Sequence, residues 1–234
     1  MSAASNLEIL DYVETPLGML CLRRRELLSQ PGTVVTEVTI NHEFLMSSLN
    51  TDSEVALARR AIEWHGKDDL DVLVGGLGLG YTAHAALETG QVRSVEVVEL
   101  LPEVIAWLER DLVPLGQVLN ADTRFATTRA DIFKRLADPP ATTHDAILID
   151  VDHNPDELLD PKNAAFYTPD SLTRAREHLK DDGVLAIWSS AENAAFAETL
   201  SRVFSEVKIE PVFWRNELLE DDEEQRDDLF LARR

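Results

Sequence analysis

Residues 70–87, LDVLVGGLGLGYTAHAAL, decide the fold. The apolar run Val72-Leu73-Val74 feeds four glycines, Gly75, Gly76, Gly78 and Gly80, and an alanine-rich segment of helical character follows. This order predicts a strand, a tight turn and a helix N-terminus. Glycine suits such a turn because a side chain would clash where φ is positive and would hold a ligand off the exposed N–H groups. A flat or anionic group resting on bare backbone is one reading. A close helix–strand crossing, which also demands small residues, is the other.

Working outward, strand-like and helix-like segments alternate: 94–98 then 102–111, 124–127 then 132–136, 146–149 then 169–179, and 184–188 then 196–204. Such alternation predicts a parallel sheet with helices on both faces. The last two apolar segments, 207–214 and 229–232, have no helix between them and predict an antiparallel hairpin. Upstream, residues 51–65 carry an apolar face at helical spacing and end at His65-Gly66. Before that, residues 8–13, 19–24 and 34–40 read as strands separated by Pro16-Leu17-Gly18 and residues 29–32. The expectation is a β appendage of about three strands over residues 1–50, suited to cover a cleft or make a dimer contact, and a Rossmann-like nucleoside-binding domain over 51–234.

The glycine spacing narrows the ligand. A dinucleotide fingerprint needs G-x-G-x-x-G, whereas Gly76, Gly78 and Gly80 give G-x-G-x-G. The shorter form resembles the first motif of class I S-adenosylmethionine-binding proteins. With the closing hairpin, the expected architecture is a doubly wound α/β fold. It has a mostly parallel seven-stranded sheet, class I methyltransferase-like, ending in an antiparallel hairpin.

Ligands of open α/β sheets lie beyond the carboxyl ends of the strands, so the acids there matter. Glu99, followed by Leu100, comes 19 residues after Gly80, where a carboxylate can accept both ribose hydroxyls. Its alternative is an exposed acid at a helix start. Asp131 can accept from an adenine amino group while Ile132 packs on the ring, or it can cap the helix that follows. Asp150 ends the apolar run AILI, and burying an unpartnered charge is costly, which suits it to orient or deprotonate an amine. On the loop after it, Asp152 and His153 border the same cleft. His153 is a general-base candidate, because imidazole exchanges protons near neutrality, and otherwise a surface residue.

Composition sets limits. With 43 acidic and 22 basic side chains the net charge is −21, a field that repels nucleic-acid phosphates and anionic lipid. It attracts a cationic substrate, or simply serves solubility. Part of the excess lies in residues 217–228, which read as a solvated loop. No apolar run reaches membrane-spanning length. The N-terminal MSAASNLEIL has no secretion signal, so a cytoplasmic location is expected. One cysteine, Cys21, excludes an internal disulfide, and neither a calcium-loop spacing nor H-E-x-x-H points to a metal. No G-x-S-x-G surrounds a serine nucleophile.

Taken together, GGLGLG, the acid in VEVVELLPEVI, RADIF, HDAILIDVDHNP and FYTPDSLTRAREHLKDDGVLAIWSS resemble the spermidine synthase family of polyamine aminopropyltransferases. The resemblance spans roughly residues 70–190, and the strands before it, with His42-Glu43, are similar to that family's N-terminal β appendage. It implies a decarboxylated S-adenosylmethionine donor, a cationic polyamine acceptor such as putrescine, release of methylthioadenosine, and a homodimer. By the same resemblance Glu99 holds the ribose, Asp131 the adenine, and Asp150 positions and deprotonates the attacking amine, with Asp152 and Tyr167 assigned to the acceptor. Two departures stand out. The family's glycine motif carries an aspartate where this chain has Leu77 and Leu79, and its Asp-x-x-Asp-Pro loop is replaced by Asp150-Val151-Asp152-His153-Asn154-Pro155. A methyltransferase using S-adenosylmethionine itself, with His153 or Asp150 as base, and a non-catalytic nucleoside-binding homologue are the competing expectations.

Overall fold

The structure, a computed structural model, describes residues 7–215 and 224–234. The chain opens with an antiparallel meander of four strands in the order β1(Leu7–Thr15), β2(Gly18–Glu26), β3(Val34–Ile40) and β4(Glu43–Ser47). The expected appendage thus has one strand more than its sequence pattern suggested. β4 escapes notice because EFLMS does not alternate, and because its link to β3 is only two residues long. Asn41 and His42 both take positive φ (51° and 71°), the backbone twist that matches a tight hairpin.

After α1(Asp52–His65) the alternation begins: β5(Leu70–Gly75), α2(Tyr81–Glu88), β6(Val92–Glu99), α3(Pro102–Glu109), α4(Gly116–Ala121), β7(Phe125–Arg129), α5(Ile132–Ala137) and β8(His144–Ile149). A 3-10 turn at Pro161–Ala165 precedes α6(Pro169–Glu177), β9(Leu179–Ser189), α7(Ala194–Ser201), β10(Glu206–Arg215) and β11(Glu224–Arg233). The seven strands run in the order β10-β11-β9-β8-β5-β6-β7, and only β11 opposes its neighbours. From β5 the chain steps outward to β6 and β7, then returns to place β8 on β5's other side. The crevice between the ends of β5 and β8 is therefore the switch point where ligands of such sheets bind.

Strand parity explains the two cores. Val72 and Val74 of β5 face one way and pack with Leu57, Ala61, Ala83 and Trp107 from α1, α2 and α3. Leu73 faces the other way and joins Leu136, Leu172 and Leu200 from α5, α6 and α7. Burial on both faces gives β5 its apolar run Val72-Leu73-Val74, each such side chain contributing about 1.5–3 kcal/mol. The first core continues into the appendage through Leu20, Leu22 and Val38. Polar ties add to it: Trp107 Nε1 donates to Asp11 at 2.7 Å, and Arg24 donates to the Leu112 carbonyl at 2.8 Å. The four-stranded sheet is thereby fixed over the helices flanking the switch point.

Candidate active site

A cavity of about 1060 Å³ opens at the switch point, between the carboxyl ends of the parallel strands and the appendage. One end of it is built from the turn after β5. Gly76 sits at φ 93°, and a Cβ there would lie 2.1 Å from the Asp150 carbonyl oxygen, so two strand ends cross at a distance that only glycine permits. Gly76 and Gly78 both border the cavity, and Met46 of β4 covers Gly78. The appendage is therefore a roof over the loop.

The outer two glycines have another reason to exist. Gly75 packs beneath Ile132, whose side-chain carbon would be 2.7 Å from an added Cβ, and Gly80 starts α2 against Leu119 at 2.6 Å. Neither borders the cavity. For these two the structure shows the close packing that was the other reading of the glycines. Leu77 and Leu79, which stand where an aspartate was missed, are buried in the first core.

Glu99 is buried at the cavity wall. It accepts the Leu77 N–H at 2.9 Å on Oε2 and the Leu101 N–H at 2.7 Å on Oε1, tying the glycine loop to the start of α3. Burial raises its pKa while those N–H groups oppose the rise. Each oxygen keeps a second lone pair for a hydroxyl donor. The alternative of an exposed helix-start acid is not what forms, and Leu100 beside it does face the cavity. Asp131 also lies on the cavity wall, and here the capping alternative is realised. Its Oδ1 accepts from Phe133 N–H (2.9 Å) and Lys134 N–H (3.1 Å). Ile132 follows it on the same wall, under Gly75.

Asp150 stands at the end of β8, its Oδ2 held by the Thr82 hydroxyl at 2.8 Å. Burial, then the charge of Asp227, pushes its pKa up. His153 also lines the cavity, from a loop whose backbone is fixed by Ser190 N–H to His153 C=O at 2.7 Å.

Asp152 and Tyr167, assigned to the acceptor from sequence, are placed elsewhere. Asp152 is 2% exposed and accepts the Leu159 N–H (2.8 Å), Asn163 Nδ2 (2.7 Å) and the Tyr167 hydroxyl (3.0 Å). Tyr167 packs edge-on against Phe166 and Phe196. Burial raises both pKa values. Parity explains the outcome: residues two apart along an extended segment share a face, but the chain bends after Asp150, and Asp152 turns inward to hold the loop.

The far end of the cavity contains groups the sequence did not announce. Glu54 of α1 and Asp227 of β11 line it with Asp150, alongside Ser53, Thr82 and Trp214. Asp227 is 8% exposed; its Oδ2 accepts from Ser53 Oγ and, at 3.0 Å, from Trp214 Nε1. Burial, then the charges of Asp150 and Asp227, pushes Glu54 up to about 8. The part of residues 217–228 that is described is thus strand rather than solvated loop, with Asp227 and Asp228 buried; residues 216–223 lie outside the described residues. Parity was the available signal, since Asp227, Leu229 and Leu231 alternate onto one face.

Among the described residues no set of His, Cys, Asp and Glu side chains is arranged to hold a metal ion, and no helix is long and apolar enough to cross a membrane.

No protein-family model matches the chain, and no curated protein sequence does. Solved structures do. The spermidine synthase of Thermotoga maritima aligns with a TM-score of 0.73 at 16% identity, over 96% of this chain and 72% of that one. A spermidine synthase in complex with the transition-state analogue AdoDATO aligns at 0.74 and 16%, over 96% and 73%. A probable spermidine synthase from Corynebacterium glutamicum aligns at 0.63 and 16%, over 97% and 80%. At such identity the shared property is the fold. This chain has the class I methyltransferase-like sheet and small N-terminal β sheet of spermidine synthases.

Proposed function

We propose that the chain is a spermidine synthase-like transferase that moves an aminopropyl group from decarboxylated S-adenosylmethionine to an amine acceptor. The observation that carries this reading is the division of one cavity into two ends. Bare backbone at Gly76 and Gly78 with the Glu99 carboxylate makes one end, and the carboxylates of Asp150, Glu54 and the buried Asp227 make the other. The first end suits the hydroxyls and flat base of a nucleoside. The second suits a cation.

In the reaction the acceptor nitrogen attacks the aminopropyl carbon bonded to the donor's sulfonium. A C–N bond forms, the C–S bond breaks, and its electron pair stays on sulfur, leaving neutral methylthioadenosine. The proton lost by the nitrogen goes to Asp150. A carboxylate with a raised pKa accepts it more readily than an ordinary one, and Thr82 holds that carboxylate in place. No covalent enzyme intermediate is needed, because fixing both reactants in one cavity supplies much of the acceleration.

The test is incubation with decarboxylated S-adenosylmethionine and putrescine, spermidine or agmatine, with methylthioadenosine followed by chromatography. Its appearance only when donor and acceptor are both present supports the reading. Methyl transfer from S-adenosylmethionine in its place would overturn it.

A further inference from the structure

We propose that Asp152 and Tyr167 are a latch of two positioning residues, which holds the loop 151–163 as a formed wall of the cavity and sets nucleoside affinity without touching the nucleoside. The inference rests on the nucleoside reading of the glycine end, and it gives the displaced acid of the segment Asp150 to Pro155 a role of its own.

The latch gathers the second half of the loop. Asp152 Oδ1 accepts the Leu159 N–H at 2.8 Å and Asn163 Nδ2 at 2.7 Å, and its Oδ2 accepts the Tyr167 hydroxyl at 3.0 Å. Donors 7, 11 and 15 positions further along the chain thus converge on one carboxylate. Burial pushes its pKa up, and the three donors oppose the rise. Leu159, Lys162 and Asn163 line the cavity, while Asp152 and Tyr167 stand behind them. The first half of the loop is fixed separately, by Ser190 N–H on the His153 carbonyl at 2.7 Å and Asn193 Nδ2 on Asp156 at 2.8 Å.

A row of rings ties the latch to the other end of the cavity. Phe133 meets Phe166 at 4.7 Å between centroids, Phe166 meets Tyr167 at 5.2 Å, and Tyr167 meets Phe196 at 5.3 Å. Phe133 follows Asp131 and Ile132, and all three line the cavity. The Tyr167 hydroxyl therefore joins the loop to the wall that carries Asp131. Pro155 and Pro161 preset φ within the same loop. With the latch made, the cost of ordering this wall is met inside the protein; with it broken, that cost is drawn from ligand binding.

The latch works by hydrogen-bond geometry, not by charge. Asparagine at position 152 keeps an oxygen for Leu159 and Asn163, and its Nδ2 can donate to the Tyr167 oxygen, which accepts as well as donates. Asp152→Asn thus removes the charge and keeps the latch. A carboxylate that acted on a substrate ammonium would not survive the same change.

The experiment pairs limited trypsin digestion, read by mass spectrometry, with calorimetric titration of methylthioadenosine at pH 7 on the full chain. Lys162 is the one Lys or Arg between residues 151 and 168 and its side chain is 89% exposed, so cutting after it reports release of the loop. Asp152→Ala is expected to speed that cut about tenfold and to weaken methylthioadenosine binding about tenfold. Tyr167→Phe is expected to change each about threefold, and Asp152→Asn to stay within about twofold of wild type in both. Melting temperature is the control for folding; if Asp152→Ala unfolds, Tyr167→Phe and Asp152→Asn decide. Wild-type cutting in Tyr167→Phe and Asp152→Ala overturns the proposal, as does faster cutting with unaltered affinity. So does an Asp152→Asn variant as impaired as Asp152→Ala or more impaired than Tyr167→Phe, which would make the charge the working feature. A wild type that binds no methylthioadenosine would remove the nucleoside reading and the claim on affinity, while the cutting rates would still decide whether the latch holds the loop.

Discussion

The two ends of the cavity are made in opposite ways. The end proposed for the nucleoside is framed by a contiguous segment, the glycine turn, with Glu99 joined to it by accepting the Leu77 N–H. The acidic end comes from side chains brought together by folding; Ser53 and Asp227, hydrogen-bonded there, are 174 positions apart. A site made of backbone depends on the few positions where only glycine fits, whereas a site of dispersed side chains depends on the tertiary fold to assemble it.

That contrast can be broken by variants that touch one end only. The largest effect is expected from Asp150→Asn, which should lower methylthioadenosine release by about 10²–10⁴-fold while leaving methylthioadenosine affinity within a few-fold. Comparable loss of nucleoside binding would show that the ends are not separable. Glu99→Gln should do the converse. Calorimetry is expected to find methylthioadenosine bound about 10–100-fold more weakly, the cost of about 1.5–3 kcal/mol for a hydrogen bond to a charged group, with putrescine binding unaffected.

Gly76→Ala probes the seam between the ends. The new Cβ meets the Asp150 carbonyl, in a positive-φ conformation, so destabilisation of about 1–3 kcal/mol and a melting point lower by about 2–4 °C per kcal/mol are expected. An unshifted melting curve would mean that the strand ends can move apart.

The smallest effect is a pH dependence. Glu54 titrates near 8 when folded and near 4.5 when unfolded, so its contribution to stability is fully present below about 4.5 and is lost as pH rises through 8. Glu54→Gln should therefore melt above wild type at pH 9, by about 2–4 °C per kcal/mol of relieved repulsion, and level with it at pH 4.5. A difference independent of pH would remove the acidic cluster as its cause.

What the sequence disclosed follows the same division. The mostly parallel sheet, the closing hairpin and the position of Glu99 were legible because they depend on local periodicity and on the distance from a glycine turn. β4 was not, since a two-residue turn leaves little punctuation between strands. Sequence assigns Asp152 and Tyr167 to the acceptor, whereas the structure hydrogen-bonds the two to each other at 3.0 Å and sets neither on the cavity wall; position in the chain does not settle which way such side chains turn. Asp131 looked equally fit for two roles and demonstrably fills one, the cap of α5. Asp227 was hidden inside an acidic run, where its alternation with Leu229 and Leu231 was outweighed by the charge around it. Glu54 gave no signal beyond its place in a helix's first turn, and only the tertiary fold brings it to Asp150.

The most direct test is a crystal structure of the protein with methylthioadenosine and putrescine bound together. The account predicts the ribose hydroxyls on Glu99 beside Gly76 and Gly78, and an amine nitrogen at Asp150. A nucleoside bound away from the glycine turn, or an amine that leaves Asp150 untouched, would contradict it.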